Sequence, residues 1–141
     1  MKPINRIARS LLALPLLLPV GCSPDPYDAD VSGVVTLDGE PVGPGVLSFV
    51  PADKTQNPSK GNVDDQGRYF LKTKHERGID SGRYQVAVQA FKPGEIVAPG
   101  ERANKPSIPA VPEKYLRVTT SGLSYDVEPG RQTIDIALTS Q

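Results

Sequence analysis

Apolar and polar residues alternate with a period of two through most of the chain after residue 31, the pattern of half-buried strands rather than helices. Val31, Gly33, Val35 and Leu37 alternate with Ser32, Val34 and Thr36, and Asp38-Gly39 then supplies a turn dipeptide leading into Glu40-Pro41-Val42. Val46 to Val50 is β-branched and aromatic, and Pro51 ends it. Two short runs within Gly61 to Thr73 flank Asp64-Asp65-Gln66-Gly67, which predicts a hairpin with Gly67 in the left-handed position. That hairpin turns Tyr69 and Leu71 inward and Arg68, Phe70 and Lys72 outward.

The clearest strand is Arg83 to Ala90, with Tyr84, Val86, Val88 and Ala90 on one face and Arg83, Gln85, Ala87 and Gln89 on the other. Leu123, Tyr125 and Val127 alternate with Ser124, Asp126 and Glu128, Pro129-Gly130 makes a turn, and Ile134, Ile136 and Leu138 alternate with Thr133, Asp135 and Thr139. Strands with one apolar and one polar face belong in antiparallel sheets with one wet side. About seven such strands predict an all-β sandwich of two sheets packed face to face. The irregular stretch Phe91 to Pro112 holds Pro93, Pro99, Pro106, Pro109 and Pro112 and is read as a loop between the sheets.

The first residues change the picture. Met1 to Arg9 is basic, and Leu11 to Val20 is an apolar run of about ten residues, short of the ~20 that a spanning helix needs. Pro15 and Pro19 argue against a buried helix. This is the layout of a secretory signal peptide. Leu18-Pro19-Val20-Gly21-Cys22 resembles a lipobox, with Gly21 and Cys22 carrying the match and Pro19 standing where the usual pattern has Leu. The expected organisation is a lipoprotein signal peptide over 1–21, a lipidated Cys22 with a polar tether over 22–30, and a β domain over 31–141. Acyl chains on Cys22 hold a membrane firmly, at ~0.8 kcal/mol per buried CH₂. The expected location is the cell envelope, on the periplasmic or cell-surface side of a membrane.

Charge and chemistry narrow the function further. Removing Lys2, Arg6 and Arg9 from 16 bases leaves 13 against 16 acids, a net of −3, with no basic run for nucleic acid. The chain has one Cys, hence no internal disulfide, and no Trp. His75 is the one histidine, in the charged segment Lys72 to Arg77, where it reads as a loop residue. No Gly-x-Ser-x-Gly elbow, zinc-ligand set or phosphate-binding Gly loop is present. Asp64, Asp65 and Gly67 read as a hairpin turn rather than a calcium loop. No catalytic residue, metal or cofactor is therefore expected. Phe91 and Tyr115, beside the irregular stretch, are the candidate exposed contact residues, with Tyr27 similarly placed and Phe70 on the polar face of its strand.

Three motifs in order carry a family resemblance. Val31 to Val42 (VSGVVTLDGEPV) resembles the opening of carboxypeptidase regulatory-like, or transthyretin-like, domains. Asp65-Gln66-Gly67-Arg68-Tyr69 and Gly82-Arg83-Tyr84-Gln85-Val86 resemble their later hairpin and strand. Ile108-Pro109 to Pro112-Glu113-Lys114-Tyr115, with Thr120-Ser121-Gly122-Leu123, looks like a variant found in small planctomycete lipoproteins. The resemblance covers about Val31 to Leu138. It implies a seven-stranded Greek-key sandwich of the prealbumin type and an accessory, non-enzymatic role. The transthyretin-like hydrolases of purine breakdown end in Tyr-Arg-Gly-Ser, whereas this chain ends Leu138-Thr139-Ser140-Gln141. A structural or protein-interaction module and a glycan- or peptide-binding lipoprotein both remain open, with catalysis behind them.

Overall fold

Period-two alternation becomes a sheet that curls until its apolar faces meet. The computed structural model describes residues 25–92 and 108–141. Strand β1, Ala29–Leu37, buries Val31 and Val35 completely. Asp38 (φ 51°) and Gly39 (φ 88°) then reverse the chain into β2, Glu40–Pro41. Positive φ at both central residues gives the turn whose twist matches the flanking strands.

Three hairpin-linked strands follow: β3, Gly45–Pro51; β4, Ser59–Val63; and β5, Arg68–Thr73. The Asp64 carboxylate accepts the backbone N–H groups of Gln66 and Arg68, both at 2.9 Å, and Gly67 sits at φ 77°. A side chain on Gly67 would meet the Val35 carbonyl, so the turn lies tight against β1. Tyr69 and Leu71 are buried, while Arg68, Phe70 and Lys72 face water. Short β6, Glu76–Arg77, folds back on β5. Strand β7, Gly82–Ala90, returns to lie antiparallel beside β3. The spatial order β5-β4-β3-β7 is a Greek key.

After a 3₁₀ turn at Glu113–Leu116 and one turn of helix, α1, at Val118–Ser121, three more strands complete the sheet. They are β8, Leu123–Val127; β9, Gly130–Thr133; and β10, Ile136–Leu138. β8 pairs with β7, whereas β9 and β10 pair with β1. One hydrogen-bonded path runs β10-β1-β5-β4-β3-β7-β8. The result is an all-β, sandwich-like fold. Its centre holds Leu47, Leu71, Val86, Val88 and Ile136, with the Phe49 ring 6.1–6.5 Å from those of Tyr69, Tyr84 and Tyr125.

The all-β, sandwich-like expectation holds: the described residues form ten strands, β2 and β6 of two residues each, hydrogen-bonded into one curled sheet. Three expectations need correction. β9 and β10 run parallel to β1, not antiparallel. The expected strand through Thr133–Thr139 is interrupted at Ile134-Asp135, because the Asp135 carboxylate takes the Val34 N–H at 3.0 Å in place of a backbone carbonyl. Ala87, assigned to the polar face, is buried, because the Glu113–Ser121 segment packs on β7.

The domain also starts earlier than Val31. Ala29 and Asp30 lie in β1, and the Asp28 carboxylate accepts the Ser81 N–H at 2.6 Å and its hydroxyl at 2.7 Å. Residues 28–30, expected to lie in a tether, therefore belong to the folded unit.

Candidate functional site

Strand direction gives the molecule two poles. The chain enters β1 beside Ile79, the Lys74-His75 turn, Gly82 and Gly130. The far pole carries Asp38-Gly39, the Asp64–Gly67 turn, the end of β7 and Ser140, whose N–H donates to Asp38 at 3.1 Å. β1 alone separates the poles by about 25 Å, at ~3.3 Å per residue.

The Phe91–Pro112 stretch leaves and rejoins the sheet at the far pole. Phe91 bridges Pro109, the Lys92 N–H donates to the Ile108 carbonyl at 3.0 Å, and the Ala110 N–H donates to the Ala90 carbonyl at 2.8 Å. These bonds extend the antiparallel ladder beyond β7 and form a neck. Phe91 is 37% exposed and Ile108 63% exposed.

Tyr115 does not join them. It is 6% exposed, and its ring belongs to the core cluster. Its hydroxyl accepts the Thr139 N–H at 3.2 Å and lies 3.3 Å from the Thr139 hydroxyl. Those bonds favour the phenolate and pull the Tyr115 hydroxyl below its usual pKa. An apolar ring with a satisfied hydroxyl belongs inside, so the expected exposure of Tyr115 does not hold. Tyr27 is half-buried, its hydroxyl 3.4 Å from the Thr73 carbonyl. Cys22 and residues 93–107 lie outside the described residues.

His75 stands exposed in the β5–β6 turn. Among the described residues no three His, Cys, Asp or Glu side chains come together to hold a metal ion. At the near pole an open cleft of about 250 Å³ is lined by Asp25, Tyr27, Asp28, Asp30, Arg77 and Arg131. Asp30 divides its carboxylate there between the Nε atoms of Arg77 (3.0 Å) and Arg131 (3.6 Å). The cleft is smaller than the ~300–1,000 Å³ of ordinary ligand pockets.

One grouping escaped the sequence reading. Phe70, 40% exposed on the outer face of β5, has the Lys72 ammonium and the Arg77 guanidinium each 5.1 Å from its ring centroid. Register brings Lys60 directly opposite Lys72, and Lys72 directly opposite Arg77. Phe70 was visible on the polar face. Its meeting with Lys72 and Arg77, and the row that Lys60 extends, depend on the pairing of three strands, which spacing along the chain does not carry.

Neither a protein-family profile nor a curated protein matches the chain. Among solved structures, it is similar to a DUF3823 family protein from Parabacteroides merdae, with 13% identity, 82% of this chain covered and a TM-score of 0.45. The chain spans 47% of that protein's length.

Proposed function

We propose that the protein is a non-catalytic envelope lipoprotein: a sandwich domain tethered to a membrane through lipidated Cys22, serving as a structural or protein-interaction module. The observation that supports this reading is polarity. The chain enters at one pole, and the neck formed by Phe91, Lys92, Ile108 and Pro109 stands at the other. An anchor at the first pole leaves the second facing away from the bilayer. The apolar neck residues Phe91 and Ile108 are the contact surface this reading assigns to a partner.

Metabolic labelling with an alkyne fatty acid tests the anchor. The wild type should carry label and sediment with membranes, and Cys22→Ser should do neither. An unlabelled wild type would remove the lipoprotein reading. A second reading, that the domain binds a glycan, is favoured by the aromatic and cationic face of β4, β5 and β6.

A further inference from the structure

We propose that the outer face of β4, β5 and β6 binds an acidic polysaccharide, a polymer of uronate- or sulfate-bearing sugars. The row Lys60, Lys72, Arg77 is in register across three neighbouring strands, and all three side chains are exposed. Strands lie about 5 Å apart, so the row sets one positive charge at each strand step. That step is comparable to one pyranose unit of an extended glycan. Phe70 lies on the same face, its ring flanked by two of the three cations.

This arrangement costs stability when the face is empty. Like charges directly opposite in a sheet repel. Among the described residues, the acid within ion-pair distance of the row is Asp30, at Arg77, and it is shared with Arg131. The Phe70 ring and Asp30 offset this repulsion at Lys72 and Arg77, while Lys60 has no ion pair among the described residues, and a local rule broken on an exposed sheet face points to a ligand.

The chemistry selects the ligand. Carboxylate or sulfate oxygens between the ammonium groups relieve the repulsion and accept charge-assisted hydrogen bonds. The exposed Phe70 ring offers an apolar platform for the C–H face of a sugar. The site is an open sheet face, which suits an extended polymer better than an enclosed small molecule. An anionic bilayer fits less well. The pole nearest the tether mixes Asp25, Asp28, Asp53, Glu76, Asp80 and Glu128 with Lys54, Lys74, Arg77 and Arg131, so it offers headgroup phosphates no continuous basic face. With a net charge of −3 after the leader, attraction is local and strongly screened by salt. The inference gives the ligand class for the second, glycan-binding reading above and rests on the lipoprotein reading only for the compartment.

Titration calorimetry of the full chain tests it, using polygalacturonate, with neutral dextran and phosphatidylglycerol vesicles as separate arms. Polygalacturonate should bind at low salt and weaken as salt rises, and dextran should not bind. Lys60→Gln with Lys72→Gln should weaken binding about tenfold or more and flatten its salt dependence. That double variant should unfold at the same temperature as the parent or higher, because a repulsion is gone. Phe70→Ala should weaken binding without changing the salt slope. Absent binding to polygalacturonate, unchanged affinity in the double variant, or stronger binding to the vesicles would overturn the proposal. The unlipidated Cys22→Ser chain should bind polygalacturonate as the parent does, so a failed anchor and a failed glycan site give different results.

Discussion

The block β5-β4-β3-β7 and the seam where β1 meets β9 and β10 are built from the same alternating residues, yet they are held differently. In the block, neighbouring strands are antiparallel, and three of the four are joined by hairpins. In the seam, β1 accepts two parallel partners about 100 residues away along the chain. The block is held by continuous backbone ladders whose turns are local, with side chains adding to them: the Asp64 carboxylate caps the β4–β5 turn, and the buried Ser59 and Thr73 hydroxyls bond each other across β4 and β5. The seam needs side chains at its break: the Asp135 carboxylate bonds the Val34 N–H, and the Tyr69 hydroxyl donates to the Ile134 carbonyl at 2.5 Å. Where local turns set the register, side chains reinforce a ladder that is already in place. Where two distant segments meet, specific side chains fix the register.

The sharpest way to break the seam is Gly33→Ala. A methyl group there would stand 2.0 Å from the Ile134 carbonyl oxygen, a backbone atom that cannot turn aside. The matching change in the block is Gly61→Ala, where the nearest atoms stand at 3.1–3.2 Å and two of them belong to side chains. Gly33→Ala should destabilise by about 3 kcal/mol or more, and Gly61→Ala by about 1 kcal/mol. Urea unfolding of the two variants measures the difference. A costlier Gly61→Ala would mean that the seam yields more readily than the block.

Tyr69→Phe probes the seam more gently. It removes the hydroxyl from the Ile134 carbonyl and should cost about 1 kcal/mol. It should also change the alkaline limb. Burial, with smaller contributions from Tyr125 and Asp135, pushes the Tyr69 hydroxyl well above its ordinary value. Burial, with Asp80 and Asp28, pushes Tyr84 up to about 12. A phenol raised in the folded state contributes stability that is complete below its unfolded pKa near 10 and is lost as pH rises through the folded value. The wild type should therefore lose stability between about pH 10 and 12, and Tyr69→Phe should lose less over that window. Equal losses would assign the alkaline limb to Tyr84 and to Tyr125, whose hydroxyl burial also raises.

The block was legible because its signals are local. Asp38-Gly39 and Asp64 to Gly67 announced their turns, and the faces of Tyr69, Leu71, Tyr84 and Val86 followed from alternation. The seam was not legible. Ile134, Ile136 and Leu138 alternate like any strand, and nothing along the chain says that Asp135 will replace a carbonyl in the ladder. Tyr115 misled for a related reason. Its neighbours Pro112, Glu113 and Lys114 suggest a surface turn, but its hydroxyl finds Thr139, 24 residues away. The cationic face at Phe70 was hidden in the same way, since Lys60, Lys72 and Arg77 meet only once three strands are in register.

The smallest expected effect lies where the seam reaches the near pole. Asp30 holds Arg77 of β6 at 3.0 Å and Arg131 of β9 at 3.6 Å, and so links the block to the seam through charge. The arginine side chains are more than half exposed, so water and salt screen both contacts. Asp30→Asn should therefore cost only a few tenths of a kcal/mol, and less still in molar salt. It should also free Arg77 from its carboxylate and leave the cationic row more positive. Stability and polygalacturonate affinity should then move in opposite directions, the first down slightly and the second up. A loss of affinity in Asp30→Asn would mean that the carboxylate orients Arg77 toward the ligand rather than competing with it.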